Sequence, residues 1–411
     1  MPSKLLTRSN KAVKSSIPSA DKKESKLALI IAGEASADLH GSNLVKAIKR
    51  LDPSFSFLGI GGDKMKQAGV EILFNSSEMA VVGATEALGK IRTIYRAAKE
   101  IKSRLKTDCP DLLILIDYPE FNIHIAHTAK KAKVPVLYFI SPQIWAWRKG
   151  RVKKIVRRID RMAVILPFEK AFYEERGVRV DYVGHPILDS MPVQSNREEF
   201  MKNKDLASTF PVIGLIPGSR EEEVKRMLPP MIEAAEILSG RSSKIRCILS
   251  IAPTISPNLI RSILYNYHIK IDLCHSNIYD VLSVCHAAMV TSGTATLETA
   301  LMGIPMVVAY KLSKLSYWVG RLVVDVPYIS LANLIAGEQV VTELLQHDVT
   351  PERIAEEMSK LIYDNKTRDE MISKMRNIKS RLGEGGASRK TAEIAVEMVK
   401  SKADQEAKII L

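Results

Sequence analysis

The residues best placed to do chemistry fall into two kinds: carboxylates at the ends of apolar runs, and small hydroxyl or arginine turns just before helices. The run D-L-L-I-L-I-D from Asp111 to Asp117 reads as a buried strand ending in a carboxylate beside the loop Y-P-E-F-N. Open α/β sheets place their catalytic groups at such strand ends. Asp117 is therefore the first candidate for a general base and Glu120 the second. Glu120 fits a capping or exposed position near Asn122 equally well. Glu34 closes the turn after L-A-L-I-I-A-G and faces the same kind of cleft. With Ser36, Asp38 and His40 it forms a polar set richer than a connecting turn needs, although Ser36 or Asp38 also suits a helix cap.

The second kind of site suits an anion. In the stretch M-V-T-S-G-T-A-T-L-E-T-A-L-M-G-I-P-M-V-V, Ser292, Gly293, Thr294, Ala295 and Thr296 stand where an apolar run gives way to a helix. Their hydroxyls and backbone N–H groups, with the positive end of the helix dipole, make a seat for phosphate. Glu298 lies about one turn beyond Thr294, where a carboxylate can accept from ribose hydroxyls. A plain N-cap explains the same stretch. Gly218, Ser219 and Arg220 repeat the pattern after V-I-G-L-I, and there the arginine, which can fork onto phosphate oxygens, favours a diphosphate over a simple cap.

These groups need a framework of strands and helices to hold them. Apolar runs alternate with helical periodicity along most of the 411 residues, which predicts two doubly wound parallel α/β domains facing a cleft. The expected boundaries are a basic tail over 1–26, a first domain over 27–190, a linker over 191–210, a second domain over 211–365, and closing helices over 366–411 that pack back on the first domain. The turn Gly59-Ile60-Gly61-Gly62-Asp63 lacks the full spacing of a dinucleotide motif. Four scattered cysteines argue against a disulfide framework or a zinc site. The net charge of +14 suits a polyanionic partner, whether nucleic acid, anionic membrane or phosphorylated substrate. No run of about 18 apolar residues predicts a membrane span, and the tail lacks a secretory signal, so a cytoplasmic location is expected. Trp145, Trp147, Arg148 and Arg151 open the densest cationic patch, and Met79, Val81 and Val82 open an apolar stretch with a single charge, Glu86. Both suit contact with a membrane face, and core packing is the alternative for each.

The combination of segments resembles the lipid-A-disaccharide synthase family. It is carried by A-G-E-A-S-A-D-L-H-G at 32–41, G-I-G-G-D-K-M at 59–65, I-D-Y-P-E-F-N at 116–122, S-P-Q-I-W-A-W-R at 141–148 and L-P-F-E at 166–169. It continues with V-G-H-P at 183–186, L-I-P-G-S-R at 215–220, S-G-T-A-T-L-E at 292–298 and N-L-I-A-G at 333–337. Two departures stand out: Glu120 replaces the family's usual Asp, and Ala37 falls where a Ser-Gly form is commoner. The resemblance implies a glycosyltransferase of the two-Rossmann-domain, GT-B type that joins UDP-2,3-diacylglucosamine to 2,3-diacylglucosamine 1-phosphate (lipid X) by a β-1,6 linkage, with inversion and release of UDP. It further implies Asp117 as base, Glu298 on the ribose, Asn333 lining the nucleotide pocket, peripheral association with the cytoplasmic surface of the inner membrane, and a homodimer as one assembly state. No cofactor or metal is expected, since no D-x-D triplet occurs. Two rivals follow from the same residues. A UDP-N-acetylglucosamine 2-epimerase shares the plan and the donor site, while a nucleic-acid-binding protein uses the basic patch but leaves the phosphate turns unexplained.

Overall fold

The computed structural model describes residues 25–79, 84–145, 152–192, 197–204, 206, 211–242, 244–275, 277–312 and 326–410. The near-continuous apolar runs become central strands buried on both faces, as parallel sheets require, with half-exposed strands at the sheet edges. In the first sheet these are β1 (Lys26–Ala32), β2 (Phe55–Gly61), β3 (Val70–Asn75), β4 (Leu112–Ile116), β5 (Val136–Phe139), β6 (Arg161–Val164) and β7 (Val180–Tyr182). In the second they are β8 (Val212–Ile216), β9 (Arg246–Ser250), β10 (Ile271–Cys274), β11 (Ala287–Thr291), β12 (Met306–Tyr310) and β13 (Thr342–Leu345). Every pairing is parallel, in the orders β3-β2-β1-β4-β5-β6-β7 and β10-β9-β8-β11-β12-β13. The expected α/β, doubly wound architecture is what forms.

Strand β1 shows how one sequence serves two cores. Ala28, Ile30 and Ala32 pack with Leu44, Val45 and Ile48 of the helix Ala35–Leu51 and with Ala392 and Ala395 of the last helix, Ala387–Ile410. Leu29 and Ile31 point the other way, toward Ala97, Ile101 and Leu105 of the helix Ala84–Thr107. The period-two alternation of a strand makes this division automatic.

Each sheet reverses its winding once, between β1 and β4 in the first and between β8 and β11 in the second. Connections leave in opposite directions at such a point and open a crevice beyond the strand ends. Ala32 pairs with Ile116, so the turns carrying Glu34 and Asp117 emerge side by side. Val290 pairs with Ile216, so the turns of Arg220 and Ser292 do the same.

The chain end ties the halves together. The helix Asn365–Leu382 packs on helices of the second domain, and Ala387–Ile410 crosses to lie on Ala35–Leu51. Asp189 receives the crossover, accepting from the backbone N–H groups of Gly386 at 2.5 Å and Ser388 at 3.0 Å. Arg161 grips Asp181 and Glu397, each at 2.6 Å. Among the described residues, no helix is long and apolar enough to cross a membrane.

Candidate active site

Asp117 and Tyr118 follow β4 with φ of +47° and +49°, left-handed conformations that side chains with a Cβ adopt only where the surroundings impose them. Three groups impose them here. Asn122 donates from Nδ2 to the Asp117 carbonyl at 2.5 Å, the Tyr138 hydroxyl donates to that same carbonyl at 2.6 Å, and the Tyr118 hydroxyl donates to the Met79 carbonyl at 3.2 Å. The Tyr118 ring lies over Gly33, where an added Cβ would come within 2.5 Å of it. The glycine in A-G-E is thus needed for packing against the strained loop. Burial, and then the nearby Glu34 carboxylate, raise the Asp117 pKa to about 6. Glu120 is exposed in the first turn of the helix Pro119–Lys131.

Asp38 has a structural task. Its carboxylate accepts from Gly62 N at 2.7 Å, Met65 N at 3.1 Å and Lys64 N at 3.1 Å, capping the short helix Asp63–Gln67 rather than its own. A Cβ on Gly62 would come within 2.7 Å of that carboxylate. The glycine turn after β2 therefore receives an aspartate. His40 and His185 are held neutral nearby: burial pushes their pKa values down to about 4 and about 3.

In the second domain, Gly218 has φ +112° and is followed by exposed Ser219 and Arg220, the latter the N-cap of the helix Glu221–Arg241. The Thr254 hydroxyl donates to the Ser219 carbonyl at 2.6 Å and pins the turn. Gly293 and Thr294 are exposed at the start of the helix Thr294–Leu301. Ser292 donates its hydroxyl to the Ile329 carbonyl at 3.0 Å, and the buried Thr296 turns inward to the Gly293 carbonyl at 2.8 Å. The hydroxyls of Ser292 and Thr296 are thus engaged within the protein, while Thr294 stays exposed and Ala295 is half-buried behind it. Glu298 is half-buried and accepts from the Tyr279 hydroxyl at 3.2 Å, while burial raises its pKa.

The two halves meet electrostatically. After burial, Glu34 and the Tyr118 N–H, the next influence on Asp117 is the positive charge of Arg220, which comes from the other domain. Asp117 and Arg220 thus lie within electrostatic reach of each other across the two domains.

Three expectations need correction. Asn333 does not line a pocket: it is fully buried, its Oδ1 accepts from Val340 N at 2.8 Å and Val341 N at 2.9 Å, and its Nδ2 donates to the Val341 carbonyl and Glu343. With Ser330, which also bonds Glu343, it braces the loop before β13. Met79 is buried in the first domain's core and supports Tyr118 through its carbonyl. Trp145 is buried edge-on against Phe168 and donates its indole N–H to Glu169 at 3.1 Å. Glu169, within L-P-F-E, had no role assigned from sequence, yet it is 1% exposed and also accepts from Ser141 Oγ, Ile165 N and Leu166 N. Val81, Val82, Trp147, Arg148 and Arg151 lie outside the described residues.

Comparison with known proteins gives the family. The model of the lipid-A-disaccharide synthetase family matches residues 28–399. A lipid-A-disaccharide synthase of Geobacter metallireducens is 47% identical over 92% of this chain and 98% of its own. One of Nitrosococcus oceani is 45% identical over 92% of this chain and 97% of its own. Among solved structures, a UDP-GlcNAc 2-epimerase of Neisseria meningitidis bound to UDP-GlcNAc superposes with TM-score 0.63 at 13% identity, covering 90% of this chain and 100% of that one. The calicheamicin glycosyltransferase CalG4 does so with TM-score 0.57 at 15% identity, covering 90% of this chain and 98% of that one. At such identities the structural likeness speaks for the two-domain fold alone. The match to the family model over nearly the whole chain, with relatives approaching half identity, establishes that the chain belongs to the lipid-A-disaccharide synthase family.

Proposed function

We propose that the chain transfers 2,3-diacylglucosamine from UDP-2,3-diacylglucosamine to the 6-hydroxyl of 2,3-diacylglucosamine 1-phosphate, forming the β-1,6 disaccharide and UDP. The observation that carries this reading is the pairing of a raised-pKa aspartate on one domain with Arg220 of the other. Asp117 takes the proton of the acceptor hydroxyl, and the freed oxygen electron pair forms the bond to the donor's anomeric carbon from the face opposite the diphosphate. The anomeric C–O bond to phosphate breaks with inversion, and its electron pair leaves on UDP. A base with a pKa near 6 is ionised at neutral pH and still basic enough to act. Glu34 strengthens it by its like charge. Negative charge gathers on the departing diphosphate, where the Arg220 guanidinium, Ser219 and the backbone N–H groups from Gly293 onward stabilise it. Glu298, which accepts from Tyr279, receives the ribose hydroxyls.

Both substrates carry acyl chains, so we read the enzyme as a peripheral protein of the cytoplasmic membrane face. The charge of +14 and the exposed Ile91 and Tyr95 on the helix Ala84–Thr107 support that reading. The deciding experiment incubates the protein with the nucleotide-linked donor and the monosaccharide phosphate. A tetraacyl disaccharide phosphate formed in step with UDP supports the proposal. UDP released without disaccharide, or an epimerised sugar nucleotide, overturns it.

A further inference from the structure

Three glutamates open the helix Glu221–Arg241, a composition that a favourable helix-dipole interaction explains. The structure separates their tasks. Glu222 faces outward to Lys225 and Arg226, each at 3.0 Å. Glu223 folds back over the P-G-S-R turn: its Oε1 lies 3.2 Å from Arg220 Nη1, and its Oε2 would stand 2.7 Å from a Cβ on Gly218. The missing side chain at Gly218 is what lets the carboxylate settle there. Glu223 is shielded while Arg220 is open to solvent, with side-chain exposures of 18% and 57%. Tyr310, at the carboxyl end of β12, senses the same pair: after burial, the Glu223 charge is the next influence raising its pKa, and Arg220 opposes it. The ion pair therefore sits beyond the strand ends, where the proposed diphosphate belongs.

We propose that Glu223 is an internal competitor for the diphosphate site, a carboxylate that holds the Nη1 end of the Arg220 guanidinium and must yield it when a nucleoside diphosphate enters. The inference rests on the reading of Arg220 as a phosphate ligand. An Nη1 N–H directed at Glu223 is not available to a phosphate oxygen, so a diphosphate that takes the whole fork exchanges the carboxylate for phosphate there. A site built this way holds the product UDP less tightly than its donors alone would allow, and Glu223 recaptures Arg220 as UDP departs.

Calorimetric titration of UDP and of uridine into the full chain tests this with wild type, Glu223→Gln, Glu223→Ala, Arg220→Ala and the double variant Arg220→Ala/Glu223→Gln. Both Glu223 variants should bind UDP about two- to fivefold more tightly, the scale set by an exposed ion pair. The gain should shrink at high salt and in the Arg220→Ala background. Uridine, which lacks phosphate, should bind as in wild type, and that result also certifies the fold. Unchanged UDP binding in Arg220→Ala refutes the underlying phosphate reading. If Arg220→Ala weakens UDP while the Glu223 variants weaken it too or leave it unaltered, competition is refuted and Glu223 instead orients the arginine.

Discussion

Replacing Asp117 by Asn should stabilise the protein while stopping it. Burial and Glu34 raise the carboxyl pKa from 3.8 to about 6. At about 1.36 kcal/mol per pH unit, that difference places a ceiling of about 3 kcal/mol on the cost of keeping this carboxylate ionised in the folded chain. The folded pKa lies above the unfolded one, so the favourable situation, a neutral carboxyl in both states, holds below pH 3.8 and is lost as pH rises through about 6. Asparagine keeps the shape and the oxygen that accepts from Tyr118 N, and carries no charge at any pH. Urea unfolding at pH 8 should show Asp117→Asn more stable than wild type by about 1–3 kcal/mol, with the advantage fading toward pH 4. In parallel, kcat/KM should fall by about 10²–10⁴, the usual worth of a positioned base, and the wild-type profile should show an acid limb near pH 6. A variant less stable than wild type at pH 8, or a wild-type rate flat from pH 5 to 8, would refute the assignment of Asp117 as a strained, desolvated base.

Other consequences are equally direct. Gly33→Ala drives a methyl into the Tyr118 ring, so it should lower kcat at least about tenfold through the displaced loop while leaving UDP affinity, assigned by proposal to the other domain, near wild type in calorimetry. Glu169→Gln puts an amide N–H₂ against donors that all need an acceptor, and chemical denaturation should register a loss of about 2–3 kcal/mol; an unshifted midpoint would mean the network repacks freely. His40 and His185 titrate near 6.5 when unfolded but at about 4 and about 3 when folded, so the thermal midpoint should fall as pH drops from 6.5 toward 4. Activity should persist in EDTA, because the charge on the leaving diphosphate is assigned to Arg220 and helix N-termini; abolition by EDTA and rescue by Mg²⁺ would count against that account.

Much of the fold is legible locally. An apolar run such as L-L-I-L-I has only one comfortable home, a strand buried on both faces, and the change to helical spacing after each run marks a doubly wound sheet. The turns proposed to hold phosphate are similarly local, since a glycine, a hydroxyl and an arginine at a helix start act through backbone geometry within a few residues. Other roles depend on partners distant in sequence. Asp38 reads as part of a polar set at the strand end, or else as a cap for its own helix, but it reaches across to Gly62, because packing brings the turn after β2 beside it. Asn333 reads as a ligand contact yet spends its whole amide on the segment Val340–Glu343. Trp145 is left open between a membrane-facing patch and the core, and Glu169 unremarked, until the indole and the carboxylate are seen to satisfy one another away from water.

The amino-acid sequence by itself determined the two parallel sheets, the strand-end aspartate and the glycine-hydroxyl turns, because periodicity and helix-end chemistry act over a few residues. Only the tertiary structure decided that Asp117 is lifted to about 6, strained beside Tyr118 and within the field of Arg220 from the other domain. Desolvation and Coulomb interaction depend on distance through space, and the folded arrangement of both domains sets those distances.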